Sequence, residues 1–435
     1  MIKIWLFIPA ICLHLMLSAQ VPAPAKKQSA SLLISNAVIH DGKGGKTENG
    51  WIRTEAGRIT AMGSGRPDAA ALQVASRLDA EGSHLYPGFI LLNSPVGLTE
   101  IESVRATLDF QESGEDNPNA HTLPAYNTDS DIIPTLRLNG VLMAQVTPRG
   151  GRISGMSSVV QLDAWNWEDA VIKARDGLHL NWPSRWNRQG WWAEPSGVVE
   201  KNKEYAAQVQ ELNRLFEEAA QYRGNPDRPL NLKLDALSQV LSGKTQLFVH
   251  ASGPAEMLNA LEFSRRAGVK RPVLVAGPDV ADIIPYLKEN QIPLVLNRLH
   301  DLPQSADSPI FQQLRVAAEL KSAGIVFALD YEGSMEVMGA RNLGFMAGAT
   351  RAYGFTDEEA LRLITQYPAQ ILGLEKSCGT LEPGKDATFF LSRGNALEMN
   401  GQNLTRAWIQ GREITLESKQ TQLFRKFEKM LTEGR

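Results

Sequence analysis

Cysteine is almost absent: Cys12 and Cys378 are the only two in 435 residues. That excludes a disulfide framework, and their wide separation does not suit a structural zinc cluster. Neither charge dominates. Lys plus Arg number 45 against 48 for Asp plus Glu, a net charge of −3, so no overall field draws the chain to nucleic acid or to anionic lipid. Internal repeats and low-complexity stretches are also missing, which removes solenoid and surface-adhesion architectures. What remains, 43% hydrophobic and 21% charged residues, is the composition of a globular chain long enough for one large core or two smaller ones.

The first segment reads as an export signal. Lys3 precedes an apolar run from Ile4 through Leu17, broken by Pro9 and His14, and small residues close it at Ser18-Ala19 before a polar, Pro-rich stretch from Val21 to Lys27. The run is short for a membrane span and its cation comes first. Cys12 lies inside the run behind a bulky Ile11, which does not suit lipidation. Cleavage after Ala19 therefore predicts a periplasmic protein with no membrane anchor, a linker over 20–30, and Cys378 as the sole remaining thiol.

From Ser31 to about residue 85 the pattern is short β with glycine turns, as in Leu32-Leu33-Ile34 through Ile39 and Gly57-Arg58-Ile59-Thr60. A matching strand-turn-strand returns over 377–415, so the two chain ends are expected to build one small β domain. A helical tail follows over 416–435. Between them, over 86–376, apolar runs alternate with helical periodicity, the signature of βα units on a parallel sheet. Eight strand candidates are legible: Tyr86–Leu92, Val141–Val146, Ser158–Leu162, Gly177–Asn181, Gln246–His250, Pro272–Ala276, Ile292–Leu296 and Gly324–Leu329. Eight strands, with no Gly-x-Gly-x-x-Gly after the first, predict an α/β protein with a (β/α)8 barrel rather than a doubly wound sheet. The stretch 184–231, with Trp186, Trp191 and Trp192, reads as an insertion plus a long helix.

Tyr86-Pro87-Gly88-Phe89-Ile90 opening the barrel and Gly379-Thr380-Leu381-Glu382-Pro383-Gly384-Lys385-Asp386-Ala387 leaving it resemble the amidohydrolase superfamily. The imidazolonepropionase-like branch, in a secreted bacterial subgroup, is nearest in appearance. The resemblance implies hydrolysis of a carbon–nitrogen bond in a small substrate at a metal centre whose first strand ends in His-x-His, two imidazoles alternating with the pleat. Here the strand ends Leu91-Leu92-Asn93-Ser94-Pro95. The fourth-strand position of the family's carboxylated Lys falls near Leu180-Asn181-Trp182, and its sixth-strand His falls on Ala276-Gly277. Its eighth-strand Asp, which binds metal and takes a proton from water, maps to Glu332 without a gap or to Asp330 with one. His250, at the end of the fifth strand, is the one retained candidate ligand, so at most one weakly held Zn²⁺ is expected.

The remaining chemistry gathers at the same end of the strands. His250 with Asp330 or Glu332 forms a candidate acid–base pair; the plainer reading is a rim histidine bonded to backbone. Arg149, followed by Gly150-Gly151, is a candidate carboxylate clamp, and Arg341 a second one or a helix cap. His300 is read as substrate-facing or as satisfied by Asp301, and Asn93 as substrate-binding. Trp165, Trp167 and Trp182, with the tryptophans of the insertion, supply either an aromatic wall or packing. His40, His84, His121 and His179 show no metal spacing. Two functions follow: a hydrolase with a degenerate metal site, or a catalytically silent binding protein or partner subunit. The expected partners are a small molecule and either a second copy or a related active protein.

Overall fold

The computed structural model describes residues 23–433, apart from 192–193, 226, 228, 304–307 and 334. The expected signal segment with Cys12, the first residues of the linker, and Trp192 lie outside the described residues. The fold is α/β with mixed sheets.

One sheet is assembled from both chain ends. The N-terminal part supplies β1 (Leu32–His40), β2 (Lys46–Glu55), β3 (Arg58–Ser64), β4 (Ser76–Asp79) and β5 (His84–Pro87). The centre of the chain supplies β6 (Phe89–Ser94), β7 (Val141–Val146), β8 (Ile153–Met156), β9 (Ser158–Gln161), β10 (Val171–Lys173), β11 (Gly177–Asn181), the hairpin β12 (Trp186–Trp191) and β13 (Glu194–Lys201), then β14 (Gln246–His250), β15 (Pro272–Ala276), β16 (Leu294–Leu296) and β17 (Phe327–Leu329). Returning from there, β18 (Phe389–Ser392), β19 (Leu404–Ile409) and β20 (Arg412–Ile414) complete the first sheet in the order β20-β19-β18-β5-β1-β2-β3. Its core is Ile34, Ile39, Ile52, Leu85, Phe389 and Trp408, all at most 1% exposed. The sheet is clasped to the helix Asp357–Arg362: His40 Nδ1 lies 2.5 Å from Glu358 Oε1, and its Nε2 lies 2.9 Å from His84 Nδ1.

Two central sheets run β10-β9-β7-β6 and β17-β16-β15-β14-β11-β8. Strands β11, β14, β15, β16 and β17 are parallel, and so are β6 and β7. Their residues are nearly continuous Val, Leu, Ile and Phe, as burial on both faces requires; Phe89, Ile90, Leu91 and Leu92 are all 0% exposed. The helices between them, Pro254–Arg266 and Gln312–Ala323, turn apolar faces inward. The two sheets approach each other twice, through the parallel bridge Leu92↔Asp330 and through Ser157, the one residue between β8 and β9.

One expectation is corrected. The third strand runs antiparallel to both neighbours, β9 against β7 and β8 against β11, instead of joining an all-parallel set. Only residues 147–152 separate β7 from β8, and a parallel crossover takes about a dozen residues or more. The chain has room to turn back and no room for a helix. Gly150 (φ 81°) and Gly151 (φ 63°) make that turn, and a side chain at Gly151 would collide with the Glu115 carbonyl.

Candidate functional site

All the parallel strands point their C-terminal ends the same way, and this end collects the charged side chains. Asn93 closes β6 with a left-handed backbone (φ 49°), tolerated by asparagine better than by most residues. Its backbone N–H donates to Gln145 Oε1 on the neighbouring strand at 3.1 Å. Its side chain, 1% exposed, sits at the middle of a network. Asn93 Nδ2 donates to Asp330 Oδ2 and to Glu332 Oε2, both at 2.8 Å. Asn93 Oδ1 accepts from Arg149 Nη1 at 3.0 Å, and its carbonyl from Arg149 Nη2 at 2.8 Å.

Arg149 stands on the turn that reverses the third strand. Its far side meets Glu336, with Nη2 3.0 Å from Oε2 and Nε 3.4 Å from Oε1. Asp330 and Glu332 follow β17, and the Glu332 N–H donates to Asp330 Oδ1 at 3.0 Å, a local turn that fixes both carboxylates. His250 ends β14 with Nδ1 3.9 Å from Glu332 Oε2, and its Nε2 meets His179 Nδ1 at 2.8 Å. His179 stacks on Phe248, ring centroids 4.8 Å apart.

The protonation pattern follows from burial. His250 is pushed down to about 4, chiefly because its charged form is desolvated; Glu332 opposes the shift and Arg149 adds to it. His179 is held well below the ordinary imidazole value by burial, then by His250 and Arg149. Both rings are therefore neutral at pH 7. One proton lies between His179 Nδ1 and His250 Nε2, and either ring can donate it, because Glu332 at 3.9 Å from His250 Nδ1 is beyond hydrogen-bond distance and does not fix the tautomer. Asp330 is raised well above the carboxylate range by burial and by Glu332. Glu336 is raised by burial, against the pull of Arg149. Burial disfavours a charge on Arg149, yet Glu336, Glu332 and Asp330 hold it protonated even more firmly than usual.

Of the residues singled out from sequence, His250, Glu332, Asp330, Arg149 and Asn93 come together here. Two others do not. Arg341 is exposed on the turn Ala340–Asn342, and His300 is exposed beyond β16; neither bonds to the network. Asp301 pairs with Arg298 at 3.3 Å rather than serving His300. Among the described residues, Trp165, Trp182 and Trp186 do not form a wall at this end. Trp182 is packed on Phe263 with its Nε1 3.3 Å from Tyr205 Oη, while Trp165 and Trp186 are exposed. Two members were missed. His179 looked like strand interior, and nothing but its alternation with Asn181 one pleat on marks it as facing inward. Glu336, beyond an irregular loop, carries no sequence signal.

Residues 245–414 match the amidohydrolase family. Over that span, less than half of the chain, the sequence resembles this family. The matched span contains His250, Asp330 and Glu332; Asn93, Arg149 and His179 lie before it. Among solved structures, an amidohydrolase from Thermotoga maritima MSB8 is similar over 88% of this chain and 99% of its own, with 22% identity and a TM-score of 0.74. An A. niger ochratoxinase shares 16% identity over 89% of this chain and 96% of its own, TM-score 0.55. A Xaa-Pro dipeptidase with methionine in its active site shares 13% over 88% and 99%, TM-score 0.52. At these identities the likeness is one of fold. No curated protein matches the sequence.

The dinuclear centre associated with this superfamily does not fit these side chains. The His179 and His250 nitrogens that face each other share one proton, so neither lone pair there is free for an ion. Asn93 turns amide hydrogens, not a lone pair, toward the two carboxylates. The guanidinium of Arg149 already supplies the positive charge. Among the described residues no group of three or more His, Cys, Asp or Glu is arranged to hold a metal ion.

Proposed function

We propose that this chain is an exported, small-molecule-binding member of the amidohydrolase superfamily, built as a (β/α)8 barrel with a composite β domain, that does not hydrolyse through a metal-bound hydroxide. The family match over residues 245–414 supports a hydrolase scaffold. The path β6-β7-β9, then β8-β11-β14-β15-β16-β17 and back through Leu92↔Asp330, supports a closed barrel of eight strands with β8 and β9 sharing one place. The observation that carries the functional reading is the Asn93 amide, whose two N–H groups are spent on Asp330 and Glu332 while Arg149 holds its oxygen. Asn93, Arg149, Asp330, Glu332 and Glu336 satisfy one another, while His179 Nε2 is left without a partner.

The test is a panel of amides, dipeptides and lactams offered to purified protein, with and without a chelator. Saturable binding without turnover is the expected result; turnover abolished by chelation contradicts it. Edman sequencing starting at Gln20 is expected for the mature protein, and Met1 on periplasmic protein contradicts export with cleavage. A partner role, as a homodimer or beside a related active protein, predicts a complex by size exclusion at micromolar concentration; a monomer throughout contradicts it.

One observation favours a second reading, hydrolysis of a carbon–nitrogen bond without metal. His250 is neutral, so it can accept a proton, and Glu332 at 3.9 Å is placed to stabilise the resulting imidazolium. In that reading His250 Nε2–H donates to His179 Nδ1, His250 Nδ1 carries the lone pair that accepts the proton, and Arg149 orients a substrate carboxylate after releasing Glu336. Chelator-resistant turnover that falls roughly 10²–10⁴-fold in His250→Gln would establish it; absence of turnover removes it.

A further inference from the structure

The opposite end of the same strands carries a cavity that the network above does not touch. It has a volume of about 720 Å³, within the range of small-molecule sites. It is bounded by the residues that lead into β14, β15, β16 and β17, so it opens at their N-terminal ends. Its charged lining is Lys270, Arg271 and Lys288, with no Asp or Glu among the lining residues. None of the three forms an ion pair with a carboxylate among the described residues, and Arg271 Nη2 stands beside Gly373 where Lys173 Nζ also approaches. Lys173 is taken by Asp176 at 2.8 Å, a buried carboxylate behind the wall that Arg271 also feels, and the wall itself offers Lys270, Arg271 and Lys288 no counter-charge.

The rest of the lining is specific in a second way. Ile292, Ile325 and Val326 form an apolar floor, and Val326 is 36% exposed although it stands next to a buried strand. Gln246, 3% exposed, donates through Nε2 to the Ile371 carbonyl at 2.5 Å, while its Oε1 has no hydrogen-bond partner. A buried acceptor left without a donor costs free energy that a bound donor or water would recover.

We propose that this cavity is a binding site for a small organic anion with a flat apolar body, its acid group held by Lys270, Arg271 and Lys288. The anion supplies the missing counter-charge, the body covers the floor, and a hydroxyl or N–H on the ligand satisfies Gln246. Such a site is separate from the network at the C-terminal ends and does not depend on what that network does.

The probes are benzoate, 4-hydroxybenzoate and phenyl phosphate, with benzamide as the neutral counterpart, titrated calorimetrically into the full chain at low and high salt. Saturable binding of a carboxylate or the phosphate ester, weakened by salt and at least tenfold weaker for benzamide, is expected. Which of benzoate and phenyl phosphate binds more tightly tells whether the acid group is a carboxylate or a phosphoryl group, and a hydroxyl advantage implicates Gln246. The combined substitution Lys270→Gln, Arg271→Gln and Lys288→Gln is expected to weaken binding more than tenfold. These side chains are exposed, so folding should survive; the single change Lys288→Glu, with a circular dichroism spectrum as control, gives the same reading with less perturbation. No saturation by any anion, equal affinity for benzamide, or affinity unchanged in both variants would overturn the site.

Discussion

Residues 245–414 and residues 89–181 build the two halves of one charged network, yet they have kept different things. The first half matches the amidohydrolase family, runs as regular parallel βα units and brings His250, Asp330 and Glu332. The second half lies before the matched span, reverses its third strand and brings Asn93, Arg149 and His179. A metal centre across such a seam needs donors from both sides. Here one side offers carboxylates and an imidazole, while the other answers with an amide and a guanidinium, which turn hydrogen-bond donors to the carboxylates, and with His179, whose Nδ1 is engaged by His250.

The sharpest way to break this pairing is to remove its cation. Arg149→Met leaves Asp330, Glu332 and Glu336 together without a positive charge, and a loss of about 3–5 kcal/mol in urea unfolding is expected; a loss below about 1 kcal/mol would mean that the two halves are not coupled through it. On the family-matching side, acid is the probe. His250 titrates at about 4 in the fold against 6.5 for the free side chain, so the unfolded chain binds the extra proton between those values and stability falls as pH drops through that window, by on the order of 3 kcal/mol. His250→Gln should flatten that limb, with His179 accounting for what persists. Asp330 and Glu336 act in the opposite sense: their raised values mean that the folded state holds protons the unfolded chain releases, so their contribution falls as pH rises above the ordinary carboxylate value. Asn93→Ala comes next, at about 2 kcal/mol, since it strips buried Asp330 and half-buried Glu332 of a shared donor. Smallest of all, Lys270→Gln at the far end of the strands should move stability by no more than about 0.5 kcal/mol, because that end holds its cations apart from any partner.

Much of this arrangement is legible before the coordinates. The strand ends are apolar runs broken by a polar residue, and that break at Asn93, His250 and Asp330 says which side chains leave the packed interior. The reversed strand was not legible: the third apolar run begins at Ser158 in the sequence, and the short gap 147–152 appears only with β8, which breaks at Gly155 and carries no apolar run. His179 was not legible: flanked by Leu178 and Leu180, it has the same apolar neighbours whether it packs silently or bonds to His250. Glu336 was hidden for another reason. Its partnership with Arg149 joins residues 187 apart in sequence across a loop of no regular period, and no local pattern encodes that meeting. The hairpin β12–β13 falls in the stretch that reads as an insertion plus a long helix, and Asn187-Arg188-Gln189 carries no period-two alternation of apolar residues that would mark a strand there.

The most direct measurement of whether an amide and a guanidinium have replaced the metal is elemental analysis of protein purified from its native compartment, repeated after loading with Zn²⁺ or Mn²⁺ and dialysis. Substoichiometric metal before and after loading, with an unchanged melting temperature, is the expected result. One or two ions per chain that survive dialysis and raise the melting temperature would contradict it.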